Sequence, residues 1–195
     1  MHGLINRAIQ GYVLDTHKDA AWAQITRKAR LGFDSFETML TYDAAQTEAV
    51  LQAAVEVLGR PRDAILEDLG TFLVSNPNLY ALRRLLRFGG VTFTDFLQSL
   101  EDTRGRGQLA LNDIDLPELD LYEISPTLYT LQCRFPIEGS GHVIVGLLRA
   151  MADDYGVFVL IDHEGYSLEG EIVLIQLLDV GFAKGRSFDL ASKGG

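Results

Sequence analysis

Apolar residues in this 195-residue chain recur at helical spacing as far as Leu100 and alternate from Leu119 onward. One helix-spaced run, Val143 to Met151, is set inside the second half. A period of about 3.6 residues and a period of about 2 line different faces, so the switch dictates helices first and a sheet-forming part second. Helices followed by a β-β-α-β-β unit make an α+β arrangement. The expected architecture is a helical N-terminal subdomain plus a four-stranded antiparallel sheet with packed helices. No repeat, linker or low-complexity tract separates the parts. They are therefore expected to share one core in a single domain over residues 1–185, with 186–195 as a C-terminal tail.

Local signals place the elements. Leu4, Ile5, Ala8, Ile9, Tyr12 and Val13 form one helical run, and Ala20, Ala21, Trp22 and Ile25 a second. Asp43 opens a longer helix that Gly59 stops, and Pro61 sits in the first turn of the next. Thr92 and Asp95 are spaced as a capping box ahead of Phe93, Phe96, Leu97 and Leu100. Ser125-Pro126 turns between two expected strands, the second reaching Phe135. Gly139-Ser140-Gly141 precedes the late helix and Gly156 ends it. The last two strands, Val157 to Ile161 and Glu171 to Leu178, are expected to be joined by a loop at His163-Glu164-Gly165-Tyr166.

Charge and chemistry exclude several functions. Seventeen basic against 27 acidic residues give a net charge of −10, which argues against a nucleic-acid or anionic-membrane binder. No apolar run is long enough for a signal peptide or a bilayer span, so a cytoplasmic protein is expected. The lone Cys133 excludes an intrachain disulfide and a multi-cysteine zinc site. It lies in an expected strand with no base beside it, which favours an inert thiol over a nucleophile. Asp162-His163-Glu164 falls in the expected loop and reads as solvated rather than metal-binding. Asp153-Asp154, near a helix C-terminus, reads as exposed, and His142 as a packed helix residue. Gly139-x-Gly141 lacks the lysine and third glycine of a phosphate loop, so a tight turn is preferred. These readings favour a binding or regulatory module over an enzyme.

Met1-His2-Gly3-Leu4-Ile5, Leu58-Gly59-Arg60-Pro61, Asp68-Leu69-Gly70-Thr71-Phe72-Leu73 and Asp95 to Asp102 stand in an order that resembles the H-NOX family, the heme–nitric-oxide/oxygen-binding domains. Leu116-Pro117 sits at the spacing of the proline that follows the family's proximal helix. The resemblance spans nearly the whole chain. It implies a sensory domain, with heme as the family cofactor, that reports to a histidine kinase, a cyclic-dinucleotide enzyme or a guanylate cyclase.

Two departures qualify that implication. Arg104 stands where the family carries its heme-ligating histidine, and a guanidinium offers donors only. The Tyr-x-Ser-x-Arg motif that holds the heme propionates is missing. Its positions fall on Cys133, Phe135 and Ile137. The resemblance so qualified implies a member with weak or lost heme binding, its pocket narrowed by Phe88, Phe93, Phe96 and Phe135, and its output passed to a separate signalling protein. One alternative is a true gas sensor with non-standard axial ligation, through His142 first and Cys133 second. Another is a carrier of a different hydrophobic ligand.

Overall fold

The computed structural model describes residues 1–102, 104–105 and 116–178. The expected domain boundary at residue 185 and the tail 186–195 lie outside the described residues.

Helix α1 (Gly3–Lys28) contains both expected N-terminal runs, joined across a kink at Lys18 with φ 70°. Asp43 caps α2 (Ala44–Leu58) by accepting the Ala45 N–H at 2.9 Å, and Gly59 ends it in the left-handed region at φ 62°. Pro61 immediately precedes α3 (Arg62–Ser75). A short 3-10 turn, Pro77–Leu79, leads into α4 (Tyr80–Arg87). The capping box is present at α5 (Phe93–Gln98): Thr92 Oγ1 accepts the Asp95 N–H and Asp95 Oδ2 accepts the Thr92 N–H, at 3.1 and 2.9 Å. Two of the orphan donors at the helix start are thereby satisfied.

The sheet contains β1 (Glu118–Ser125), β2 (Leu128–Arg134), β3 (Val159–Ser167) and β4 (Gly170–Leu177), in the order β1-β2-β4-β3 with every neighbour antiparallel. Between β2 and β3, α6 (Ser140–Tyr155) crosses the inner face and stops at Gly156, φ 69°. The final hairpin departs from expectation. Strand β3 runs through His163 and Tyr166 to Ser167, and the turn is Leu168-Glu169. A bulge between His163 and Gly165 absorbs the irregular residues, with Gly165 at φ 97°, so pairing resumes at Gly165↔Ile172.

The apolar residues divide into two clusters rather than the single expected core. One gathers Ile9, Tyr12, Val13, Trp22, Val50, Leu51, Ile65 and Leu66 among α1, α2 and α3. The other gathers Phe93, Phe96 and Leu97 of α5, Val145, Leu148 and Met151 of α6, and Leu131, Val173 and Ile175 of the sheet. The division follows from how α3 meets α6, the most extensive helix pair. A Cβ on Gly70 would lie 2.0 Å from the Val143 carbonyl oxygen, so the two backbones touch and leave no layer of side chains between them.

Candidate functional site

The residues that the resemblance assigns to heme binding lie at different places. Arg104 forms an ion pair with Glu118, the first residue of β1. Glu118 also accepts from Arg134 Nε at 3.0 Å, and Arg134 reaches Asp120 at 2.5 Å. The guanidinium of Arg104 is thus one member of a charged network at the start of β1. Cys133 points to the opposite, inner face of β2 and is 1% exposed. Burial pushes its thiol up to about 11. That protonation state agrees with an inert thiol. Phe135 is half-buried, and Ile137 packs against the helical cluster.

Of the aromatics expected to narrow a pocket, Phe93 and Phe96 are buried against Tyr155 of α6, with ring centroids 5.9 and 5.7 Å away. The Tyr155 hydroxyl donates to the Gly90 carbonyl at 2.9 Å, and the Arg87 guanidinium lies 3.7 Å from the centre of its ring. Phe88, just after α4, departs from expectation at 72% exposed.

A different constellation is assembled where the two halves meet. His142, in the first turn of α6, and His163, on β3, stack with ring centroids 4.1 Å apart and planes 21° from parallel. His163 Nε2 lies 2.9 Å from Glu171 Oε2, and His142 Nδ1 lies 3.2 Å from Glu67 Oε1 on α3. The Glu171 carboxylate is buried and accepts two further bonds, from Gly141 N at 2.9 Å and Ser140 Oγ at 3.1 Å. It therefore closes the N-terminus of α6 in place of a local cap, since Gly139 at the cap position has no side chain to do so. Arg149 completes the cluster, donating to Glu67 at 2.7 Å and to the Ile161 carbonyl at 2.6 Å. Among the described residues, no group of three or more His, Cys, Asp and Glu side chains is arranged to hold a metal ion.

This geometry corrects two readings. His163 belongs to a strand and is nearly buried, with 9% of its side chain exposed, so the solvated-loop interpretation fails for it. His142 stacks on His163 and also bonds Glu67. Asp154 is not exposed but pairs with Arg83 of α4, although Asp153 is exposed as expected. Gly139 does form the expected tight turn, at φ 82°. Sequence reasoning missed Glu171, Glu67 and Arg149. A signal for Glu171 existed: it is in phase with Val173, Ile175 and Leu177, all inward-facing, so the alternation sends a carboxylate to the core.

Residues 2–163 match the model of the family described as Haem-NO-binding. Over 180 residues the chain is 23% identical to soluble guanylate cyclase gcy-31 of Caenorhabditis elegans, which covers 92% of this chain and 24% of that protein. The chain thus spans about a quarter of the length of this curated relative. Among solved structures, an Fe(II) unliganded H-NOX protein from K. algicida superposes with a TM-score of 0.78 at 17% identity, over 92% of this chain and 97% of that one. An H-NOX protein from S. oneidensis in the Fe(II)NO ligation state does so with a TM-score of 0.76 at 17% identity, over 92% and 100%. At these identities the likeness establishes the α+β fold.

Proposed function

The chain belongs to the Haem-NO-binding family of gas-sensing domains, and on that premise we propose that it is a sensory or regulatory domain with weak or lost heme binding that signals to a separate protein. The observation that carries this reading is the engagement of Arg104 with Glu118, Arg104 being the residue that the resemblance sets at the family's iron-ligand position. A guanidinium stays protonated and has no lone pair for iron, and here its charge is already matched by a carboxylate. Cys133, Phe135 and Ile137 supply no cation for propionates, and the Cys133 thiol is directed to Ser140 at 3.7 Å. These residues do not fit a heme held in the family manner. Of the two replacement ligands considered, Cys133 Sγ lies against Ser140 Oγ, and His142 commits Nδ1 to Glu67.

Without a metal-centred event, the output rests on shape. A sensor needs two conformations that a ligand or partner biases, and the α3–α6 seam between the two clusters is the natural place for them to differ. A single domain over residues 1–185, acting in the cytoplasm without catalysis of its own, is part of the same proposal. No helix among the described residues is long and apolar enough to cross a membrane. A histidine kinase or a cyclic-dinucleotide enzyme is the partner class the family suggests. The acidic charge favours a basic partner surface.

The visible spectrum of the purified protein, with and without added hemin, tests the cofactor part. The expected result is no sharp Soret band that survives gel filtration. A tight one-to-one complex would overturn it and return the reading to a gas sensor with unusual ligation.

A further inference from the structure

The His142–His163 stack is not used by the proposed function, and the hydrogen bonds of His163 assign its proton. The Gly165 N–H donates to His163 Nδ1 at 3.2 Å, so the His163 proton sits on Nε2 and is given to Glu171. His142 correspondingly places its proton on Nδ1, toward the Glu67 carboxylate. The two rings lie face to face. Each is tied by a glutamate to a different layer: α3 through Glu67, β4 through Glu171.

We propose that the His142–His163 stack is a proton-operated joint between the helical half and the sheet, closed when both rings are neutral and loosened when they take up protons. The mechanism follows from donor and acceptor counts. A second proton on His163 must go to Nδ1, where it meets the Gly165 N–H, and two donors cannot share that position. The bulge at His163–Gly165 must then open. A second proton on His142 sets a positive ring 4.1 Å from its neighbour, and charging both rings adds like-charge repulsion inside the stack, set against the attraction of each ring to its own carboxylate, Glu67 or Glu171.

The surrounding charges are specified on every side. Glu67 and Arg62 face the joint from α3, Arg149 from α6, Asp162 and Tyr166 from β3, Glu171 from β4, the Cys133 thiol from β2, and Glu138 from the segment before α6. Arg149 holds Glu67 and the Ile161 carbonyl together, so α3 and β3 stay bridged beside the joint. The change is thus confined to the His163 bulge and the first turn of α6.

Amide hydrogen exchange on the full chain, corrected for intrinsic pH dependence, tests this. Between about pH 7.5 and about pH 5.5, protection at Gly165 and Gly141 is expected to fall by about tenfold or more, while Val173 in the sheet interior keeps its protection. Nitrogen-15 imidazole shifts at the upper pH should place the His163 proton on Nε2. In His163→Gln the pH response is expected to disappear, and His142→Gln should weaken it. Unchanged protection at Gly165 in the unmodified protein, an Nδ1-protonated neutral His163, or the same pH response in His163→Gln would each overturn the proposal. Because none of these readouts involves heme, the outcome is independent of the cofactor question.

Discussion

Gly146 on α6 lies so close to Glu67 on α3 that a Cβ at position 146 would fall 1.9 Å from the Glu67 carbonyl oxygen. With Gly70 meeting Val143 in the same way, the seam between the halves is a contact of backbone on backbone. The obstructing atoms are carbonyl groups inside two helices, so neither can swing aside as a flexible side chain would.

Gly146→Ala should therefore force the helices apart. Overpacking of this kind costs about 1–3 kcal/mol, and the upper end is expected because both partners are main chain. The urea midpoint should fall with little change in slope. A midpoint equal to that of the unmodified protein would mean that α3 and α6 slide freely at this crossing.

Arg104→His is expected not to create a nitric-oxide sensor. The change supplies one lone pair at the position, but Cys133, Phe135 and Ile137 still provide no clamp for propionates. The lost ion pair is itself a minor term, because both partners are substantially exposed, and such pairs contribute about 0–1 kcal/mol. A five-coordinate ferrous heme protein recovered from this single substitution would mean that only the ligand had been lost.

Much of the fold was legible because its signals are local. Asp43, Gly59, Thr92 with Asp95, Gly139 and Gly156 each act within one turn of their own position, and each performs its expected job. The seam was not legible, since Gly70 and Gly146 matter only through a helix more than seventy residues away in sequence. The joint was hidden for a related reason. Gly165 and the run Asp162-His163-Glu164 carry loop composition, and only pairing with β4 reveals a bulge and turns His163 inward onto Glu171. The family resemblance drew attention to Arg104, Cys133 and His142, whereas Glu67, Arg149 and Glu171 belong to no motif and are brought together by packing alone.

Thr92→Ala removes the acceptor for the Asp95 N–H and leaves a donor unsatisfied at the start of α5. N-cap losses of this sort cost about 1 kcal/mol. The effect should reach Phe93 and Phe96, since α5 presents both to Tyr155. Thermal unfolding should show a lowered Tm. Thr92→Ser, which keeps the hydroxyl, should lose much less, and equal losses in the two variants would assign the effect to the methyl group.

Alkaline stability should depend on two buried protons. Burial, together with the neighbouring Asp68 carboxylate, pushes the Tyr12 phenol from 10.0 up to about 12. Burial likewise raises the Cys133 thiol from 9.0 to about 11. In both cases the folded chain keeps a proton that the unfolded chain releases earlier, so the folded state binds more protons above about pH 9 and unfolding becomes easier as pH rises. The contribution is fully present below about pH 9. It declines through about 11 for Cys133, and from about 10 through about 12 for Tyr12. Tyr12→Phe retains the ring, which packs edge-on to Phe72 at 6.0 Å, but has no proton to release. Combined with Cys133→Ala, it should flatten the fall in urea midpoint between about pH 9 and 11 relative to the unmodified protein, even if the midpoint at pH 7 is lower. A slope as steep in the double variant as in the original chain would show that other groups, not Tyr12 and Cys133, govern the alkaline limit.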